Sequence, residues 1–421
     1  MAGGDNGRVD LQGFAGLLSG DGQALLAELR EHSPADELAA ATRLRRTYDA
    51  GLVSAALGQA RLRQRAVAKF GEEDAYRMYF TPNGVEQSTR KSVATHRAER
   101  FRALGVRRLA DLCGGIGGDA LALARAGIEV LAVDRDPLAC AAARANAAAL
   151  GLADLIEVRC ADVTEVDTAG FDAVFVDPAR RTGGPGGAAR GTSMRGGGRA
   201  AGGRTFDPEA YAPPLSWALA AARAVPFAAV KVAPGIPHEA VPPEAEAEWV
   251  SDRGDVKEAA LWFGTEPGSV RATLLPGGAS LRTAAPLPDP EVRPVGRYLY
   301  EPDGAVIRAH LVAEAAAPLD GGLIDETIAY VTADELRPTP YATAYEIGDV
   351  LPFGLKRLKA LLREREVGVL TVKKRGSAVE PEEVRRRVKP RGPHAATVFL
   401  TRVAGAPSML LGRPVTGTSQ T

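Results

Sequence analysis

Leu109-Ala110-Asp111-Leu112-Cys113-Gly114-Gly115-Ile116-Gly117-Gly118-Asp119 is the stretch that decides the fold. A short apolar run ends in a glycine-rich turn, and an Ala/Leu-rich segment follows it, which predicts a strand, a tight turn and a helix. Glycines let the backbone approach a ligand closely, and the first N–H groups of a helix are free to bind an anion. This unit therefore predicts a ligand site. By itself, Gly115-x-Gly117-x-x-Ala120 also fits a dinucleotide-binding fingerprint.

The chain continues from this unit as short apolar strands that alternate with helices. We predict helices at 137–150 and 211–224 and strands at 108–113, 128–134, 155–160, 172–177 and 226–232. Alternation at this spacing is typical of a parallel α/β sheet with helical crossovers. Two more strands, 246–250 and 258–263, flank residues 251–254 and predict an antiparallel hairpin. A dehydrogenase sheet does not usually end in such a hairpin.

The sequences before and after this α/β region differ from it in their predicted structure. Residues 1–105 read as a helical segment, with one helix at about 50–70 and another that ends near Leu104. We assign 106–275 to the α/β domain, 276–294 to a Pro-rich linker and 295–415 to a small basic α/β domain. In that last domain we predict helices at 355–365 and 381–389 and strands at 367–373 and 396–403. The stretch 181–204 is mostly Gly, Ala and Arg and predicts a loop, either a clamp for a polyanion or a codon-biased insert.

Composition excludes several classes of protein. Fifty-two basic residues balance 52 acidic ones, so any contact with nucleic acid requires a local basic patch. We see no signal peptide and no apolar run long enough to cross a bilayer. Three scattered cysteines and five histidines offer neither a disulfide framework nor zinc-ligand spacing. We therefore expect a cytoplasmic protein without a metal site.

Acidic residues lie near the carboxyl ends of the first three strands, and they fit S-adenosylmethionine (SAM). Asp111 lies where a carboxylate can meet the cationic methionine amine, while the helix N-terminus faces the methionine carboxylate. Asp134 ends strand two, where an acid can accept hydrogen bonds from both ribose hydroxyls; this feature is shared with NAD proteins. Asp162 follows strand three, and in methyltransferases an acid at that place accepts from the adenine amino group.

Phe175-Val176-Asp177-Pro178-Ala179-Arg180 ends strand four and favours a methyltransferase over a dehydrogenase. An acid at this tip lies beside the transferable methyl group, where it can accept a hydrogen bond from a substrate amine or orient another nucleophile. Pro178 turns the backbone and fixes its carbonyl nearby. We therefore predict Asp177 and Pro178 as the catalytic residues of a Rossmann-like class I methyltransferase domain.

Two family resemblances extend this interpretation. The stretch from Phe80-Thr81-Pro82 through the glycine-rich turn to Val133-Asp134-x-Asp136-Pro137 resembles the trimethylguanosine synthases, which methylate guanine N2 of RNA caps. The whole chain resembles bacterial SAM methyltransferases with a THUMP-like C-terminal domain, on the evidence of Gly368-Val369-Leu370-Thr371-Val372-Lys373-Lys374-Arg375-Gly376. These resemblances imply a class I methyltransferase fold, SAM as cofactor and contact with RNA. They assign SAM binding to Asp111, Gly115, Gly117, Asp134, Asp162 and Thr81.

The strand-four motif departs from the families it resembles. Methyltransferases that act on amines usually carry a second proline and an aromatic residue where this chain has Ala179 and Arg180, so a base loses its usual stacking partner. The closer Asp-Pro-Pro-Arg pattern resembles uracil-5 methyltransferases, which need a cysteine nucleophile after strand five. Here that strand ends Val230-Lys231-Val232-Ala233-Pro234, without a cysteine.

Basic residues gather near the C-terminus. Fourteen Lys or Arg face five Glu between Lys356 and Arg402, and seven acidic residues gather between Glu239 and Glu258. We predict that structured RNA, tRNA or rRNA, contacts Lys373, Lys374, Arg385, Arg386 and Arg387. The helix dipole alone also favours basic residues at the end of helix 381–389. Two alternatives stay open: a small-molecule methyltransferase, and a non-catalytic RNA-binding protein with a vestigial SAM fold.

Overall fold

This computed structural model describes residues 10–31, 36–179 and 208–415. The stretch 181–204, for which the sequence predicts a loop, lies outside the described residues, as does Arg180. The chain divides into two compact units, one of Met1–Ala233 with Ala260–Thr265 and the other of Pro234–Ala259 with Glu266–Thr421. The three-part division at residues 105 and 275 stays a prediction from the sequence.

Helices form the first part of the first unit, as its sequence predicts. They are α1 (Leu11–Leu17), α2 (Gly20–Glu28), α3 (Glu37–Leu44), α4 (Ala50–Phe70), α5 (Glu72–Ala75), α6 (Pro82–Gln87) and α7 (Lys91–Ala103). Asp49 caps α4, because its carboxylate accepts from the N–H groups of Gly51 and Leu52 at 2.8 and 3.0 Å. The bounds of α4 match the predicted helix at 50–70.

A parallel sheet forms the rest of this unit. Its elements are β1 (Arg108–Leu112), α8 (Gly118–Arg125), β2 (Glu129–Asp134), α9 (Pro137–Ala149), β3 (Ile156–Cys160), β4 (Ala173–Val176), α10 (Leu215–Arg223) and β5 (Phe227–Val232). The strands lie in the order β3-β2-β1-β4-β5, and each neighbouring pair is parallel. This confirms the predicted Rossmann-like sheet. The chain order reverses between β1 and β4, so a ligand crevice is expected at the carboxyl ends of these strands.

The five predicted parallel strands match the observed ones within a residue at each end, because both faces of the sheet are covered. All four residues of β4 are buried, which explains its uninterrupted apolar sequence. The helix predicted from 211 begins only at Leu215. Pro213 and Pro214 precede it, and a residue before proline is disfavoured in helical conformation.

Four strands follow: β6 (Glu246–Asp252), β7 (Asp255–Phe263), β8 (Val270–Leu275) and β9 (Ala279–Thr283). The turn between β6 and β7 lies at Arg253 and Gly254, within the predicted hairpin turn. In the second unit β6 pairs with β8 in parallel, and β9 pairs antiparallel with β8. The predicted linker at 276–294 is therefore wrong for Ala279–Thr283, since the turn at Gly277 and Gly278 folds this segment back onto β8.

The C-terminal part has a sheet of its own. Its elements are β10 (Tyr298–Pro302), α11 (Gly304–Arg308), α12 (Val312–Ala316), β11 (Gly322–Asp325), β12 (Ile328–Ala333), β13 (Ala342–Pro352), α13 (Leu355–Glu364), β14 (Val367–Lys374), α14 (Pro381–Val388), β15 (His394–Val403) and β16 (Ala406–Pro414). Seven strands lie in the order β11-β12-β10-β13-β16-β15-β14. Buried side chains of α13 and α14, including Leu358, Leu362 and Val384, form a core with the sheet. The two predicted helices and two predicted strands are present, whereas the other five strands were not predicted.

Within the described ranges, no helix combines the length and the apolar character needed to cross a membrane.

Candidate active site

Five neighbouring strands place charged residues around one cavity of about 500 Å³ in the first unit. Asp111 is the penultimate residue of β1 and Asp134 is the last residue of β2. Asp162 follows β3, Asp177 follows β4, and Lys231 lies near the end of β5. All five line the cavity. The parallel sheet brings them together, because the carboxyl ends of parallel strands lie at the same edge.

The glycine-rich turn holds Asp134 in a defined orientation. The N–H of Gly115 donates to Asp134 Oδ2 at 2.9 Å, and the N–H of Asp136 donates to Asp134 Oδ1 at 2.9 Å. Gly117 has φ +85°, in the left-handed region that favours glycine, and it caps α8. Gly115 lines the cavity, whereas Gly117 lies behind the turn, where an added Cβ would come within 3.4 Å of Ala143. A direct contact of Gly117 with the cofactor stays a prediction.

Asp111 is fully buried, and neither of its carboxylate oxygens has a hydrogen-bond partner among the described residues. Burial raises the pKa of Asp111 well above its usual value, and the negative charges of Asp119 and Asp177 raise it further. Arg97 acts in the opposite direction, and it forms a buried ion pair with Asp119. An unsatisfied buried carboxylate that lines a cavity is matched to a cationic ligand group.

Asp162 and Thr81 both cap helical turns at the cavity wall. Asp162 Oδ1 accepts from the N–H and the hydroxyl of Thr164 at 2.9 and 2.7 Å, and these hydrogen bonds lower the pKa of Asp162. Thr81 caps α6, since its Oγ1 accepts from the N–H of Gly84 at 2.9 Å. The Thr81 hydroxyl is the acceptor in that bond, so its own proton can still be donated, and Thr81 lines the cavity.

Asp177 forms an ion pair that the sequence interpretation missed. Lys231 Nζ lies 2.6 Å from Asp177 Oδ2 and 3.2 Å from Thr89 Oγ1, and the lysine side chain is buried. A lysine within the otherwise apolar strand Phe227–Val232 is the signal that identifies it, because a buried ammonium needs an anionic partner. Pro178 follows Asp177 in the cavity wall.

The backbone after β4 meets the segment that precedes α10. Ala179 and Ala212 exchange two N–H···O hydrogen bonds of 3.0 Å each. This bridge brings Tyr211, Pro213 and Pro214 into the cavity wall. An aromatic side chain is therefore present beside the Asp-Pro-Ala motif, supplied from a distant part of the sequence rather than from the motif itself.

Cys113 also lines the cavity, where its surroundings disfavour the reactive thiolate. Burial raises the pKa of its thiol strongly, and the charges of Asp134 and Asp177 act in the same direction. The thiolate is the nucleophile, so a cysteine held as a thiol is unreactive. This agrees with the lack of a cysteine after strand five.

The glycine-rich turn fits both SAM and NAD, and the charge of the cavity favours SAM. Among the described residues that line the cavity, two are basic, Arg135 and Lys231, and seven are acidic: Glu86, Asp111, Asp119, Asp134, Asp136, Asp162 and Asp177. Such a lining favours the sulfonium and amine of SAM and disfavours the diphosphate of NAD. The charge and position of these residues fit SAM, and the individual contacts of Asp111 with its amine, Asp134 with its ribose and Asp162 with its adenine stay predictions. The strand order, the acids at the strand tips and the charge of the cavity define a class I SAM-dependent methyltransferase.

Known proteins agree with this class. Family models match residues 109–179 as a methyltransferase domain, 342–414 as THUMP domain-like and 10–66 as a domain of unknown function. Uncharacterized SAM-dependent methyltransferases from two strains of Mycobacterium tuberculosis, CDC 1551 and H37Rv, are each 36% identical over 360 residues, covering 83% of this chain and 92% of theirs. The chain belongs to this family of SAM-dependent methyltransferases.

A solved structure shares the fold over most of the chain. A protein from Porphyromonas gingivalis W83, assigned as a methyltransferase, superposes with a TM-score of 0.72 at 20% sequence identity. The match covers 93% of this chain and 98% of that one. It therefore supports the architecture of this chain and not a particular substrate.

Most of the basic residues that the sequence assigns to RNA contact form ion pairs with acidic side chains in the folded protein. Lys373 forms an ion pair with Glu301 and Lys374 with Glu380, while Arg385 pairs with Glu382 and Arg387 with Glu383. The acidic stretch 239–258 is not an exposed counter-surface either, because Glu246, Glu248, Asp252 and Glu258 are buried. The simple segregation of charge expected from the sequence is therefore weaker in the folded protein.

Proposed function

We propose that this enzyme methylates a base in structured RNA, tRNA or rRNA. One observation carries the proposal: the THUMP domain-like region presents an exposed cationic stripe on α13. Lys356, Lys359 and Arg363 are spaced by three and four residues, so they lie on the same face of the helix. Within the described ranges these three side chains form no ion pair with an acidic residue. Unpaired cations release counterions on binding phosphates, which favours contact with a nucleic-acid backbone.

The pairing of charges changes which basic residues are the best candidates for RNA contact. Neutralising partners reduce the contribution of Lys373, Lys374, Arg385 and Arg387, whereas Arg386 has no ion-pair partner among the described residues. The α13 stripe is therefore the stronger candidate for the phosphate footprint, with Arg386 beside it in the proposal.

The chemistry is assigned to Asp177 and Pro178. Bound SAM supplies an electrophilic methyl group. Lys231 engages Asp177 Oδ2, and no hydrogen bond to Oδ1 is seen in the described part of the chain. In the proposal Oδ1 accepts from the N–H of the acceptor and orients its nitrogen, and Tyr211 with Pro213 forms a wall for a planar ring. The aromatic partner that Arg180 does not supply would then come from Tyr211.

Labelling of RNA tests the function. Total RNA from a strain that lacks the gene is incubated with the enzyme and tritium-labelled SAM, and nucleosides are identified by mass spectrometry. We expect one labelled nucleoside from structured RNA, and a rate about 10²-fold lower for Asp177→Ala at unchanged SAM affinity, the scale of a lost positioning or general-base group.

The other outcomes distinguish the alternatives. Label in a small-molecule extract but not in RNA supports a small-molecule methyltransferase. SAM and RNA binding without any transfer supports a non-catalytic RNA-binding protein. Equal rates for Asp177→Ala and the parent remove Asp177 from the chemistry.

A further inference from the structure

One wall of the SAM cavity is an irregular segment, residues 78–89, which we call the strap. It includes α6, and it contributes seven of the thirty described residues that line the cavity, among them Thr81, Gly84 and Thr89. The strap lies tightly against the glycine-rich turn, because an added Cβ on Gly84 would come within 2.6 Å of Ile116 Cγ2. Small movements of the strap therefore change the shape of the cofactor site.

Side chains from outside the strap hold its main chain. Arg63 Nε donates to the carbonyl of Met78 at 2.9 Å. The Gln59 amide, oriented to satisfy both bonds, donates to the carbonyl of Phe80 at 3.0 Å and accepts from its N–H at 2.8 Å. Asn146 bonds both backbone groups of Tyr79 and also the carbonyl of Ile116 in the glycine-rich turn. Buried irregular backbone needs such partners, since it has no ladder of its own.

A lysine holds two main-chain carbonyls in the second half of the strap, which lines the cavity. Lys69 Nζ donates to the carbonyl of Glu86 at 2.6 Å and to the carbonyl of Ser88 at 2.9 Å. The next residue, Thr89, contacts Lys231, which is the partner of Asp177. Lys69, Gln59 and Arg63 all belong to α4, most of which lies in the region matched only as a domain of unknown function.

We propose that α4 is the frame of the SAM site and that Lys69 is a positioning residue, which holds the strap in its SAM-binding conformation. The helix contributes through the strap and not through the ligand, because neither Lys69 nor Gln59 lines the cavity. This assigns a role to the N-terminal helices. It concerns cofactor binding alone and does not depend on which acceptor is methylated.

The charge state of Lys69 supplies a readout specific to this role. Burial, together with the nearby charges of Lys231 and Arg90, lowers the pKa of Lys69 to about 8, and Glu86 acts in the opposite direction. Above this pH the ammonium becomes an amine, which loses the charge assistance of its two hydrogen bonds. SAM affinity should therefore weaken in the parent as pH rises from 7 to 9.5.

Calorimetric SAM titrations of the full chain test the proposal. Lys69→Met should bind SAM roughly three- to tenfold more weakly at pH 7, the scale of one or two lost hydrogen bonds. Lys69→Arg keeps a permanent charge and several donors, so it should restore binding. The ratio of parent to Lys69→Arg affinity should fall several-fold between pH 7 and 9.5, and this ratio cancels the titration of SAM itself. Hydrogen exchange at residues 83–89 should rise in Lys69→Met.

Three results overturn the proposal. The first is equal SAM affinity of Lys69→Met and the parent, which makes Lys69 merely structural. The second is a parent-to-Arg affinity ratio that does not change with pH, a result obtainable even if Lys69→Met fails to fold. The third is a ratio that rises with pH, which indicates direct repulsion between Lys69 and the cationic ligand.

Discussion

Asp111 combines a predicted role in SAM binding with a cost to stability. Its carboxylate is fully buried without a partner among the described residues, and its pKa is raised chiefly by burial. The native state therefore holds a proton that the unfolded state releases above a pH of about 4. Since the native state binds more protons in this window, the free energy of unfolding falls as pH rises from there through the raised pKa.

Asp111→Asn should separate these two effects. The amide is neutral without taking up a proton, so we expect the free energy of unfolding at neutral pH to rise by about 1–3 kcal/mol without SAM. SAM binding should weaken at least tenfold, because the methionine amine loses its anionic partner. Denaturant unfolding and calorimetry measure the two quantities. A variant that is less stable and binds SAM normally contradicts both the electrostatic argument and the assigned contact.

A substitution of Lys231 should separate methyl transfer from SAM binding. Lys231→Met removes the ion pair with Asp177, so we expect single-turnover methyl transfer to fall roughly 10- to 100-fold, the effect of a misplaced reactive group. SAM affinity should stay within about twofold or tighten, since a cation leaves an acidic cavity. Lys231→Arg is the matched control and should recover most of the rate. Parallel losses of rate and SAM affinity in both variants would instead indicate a structural lysine.

At the scale of a secondary-structure element, we predict that the exposed cations of helix α13 contact RNA. Leu358, Leu361 and Leu362 are buried, which leaves Lys356, Lys359 and Arg363 on the exposed side. Reversal of these three charges to Glu should weaken RNA binding without a change in SAM affinity. The slope of log K against log salt should become shallower by about two to three, since each lost phosphate contact contributes roughly 0.7–0.9.

Helix α14 provides the matched control for α13. Reversal of Arg385, Arg386 and Arg387 changes the same number of charges, but Glu382 and Glu383 already compensate two of the arginines. We expect a smaller loss of RNA affinity and a smaller change in salt slope than for α13. A larger effect for α14 would return the footprint to the arginine triplet that the sequence predicts, and an unchanged slope in both would argue against RNA.

The stability of the whole molecule should depend on pH through a histidine stack in the second unit. The rings of His238 and His310 lie 3.8 Å apart, and His238 also stacks on Trp249. Burial lowers the pKa of His310, His238 lowers it further, and Asp289 opposes them. The unfolded state therefore binds more protons below a pH of about 6.5, so the free energy of unfolding should fall as pH decreases through this range.

His310→Asn tests this dependence. His310 has φ +57°, a left-handed conformation that asparagine tolerates, so the substitution leaves the backbone acceptable. The loss of stability between pH 7.5 and 5.5 should be smaller in the variant than in the parent, as measured by urea unfolding at each pH. Equal pH slopes in the two proteins would show that His310 does not titrate during unfolding.

The sequence by itself determined the sheet, the cofactor class and the acids at the strand tips. These features are local: an apolar run, a glycine-rich turn and an acid after each strand stay together in the chain, and parallel order alone brings the tips to one edge. Asp111, Asp134, Asp162 and Asp177 were named in this way, and all four line the cavity. The strands between 298 and 352 were not predicted, since their pairing partners lie far away in the chain.

Only the tertiary structure decided which charges remain available. Lys231 meets Asp177, Tyr211 reaches the cavity through the Ala179–Ala212 bridge, and Lys69 holds the strap, all across long separations in the chain. The same folding pairs Lys373 with Glu301 and buries Glu248, so a count of charges along the sequence misjudged the surface. Composition records how many charges a chain has, whereas burial and pairing, which are set by long-range packing, decide which of them can act on a ligand.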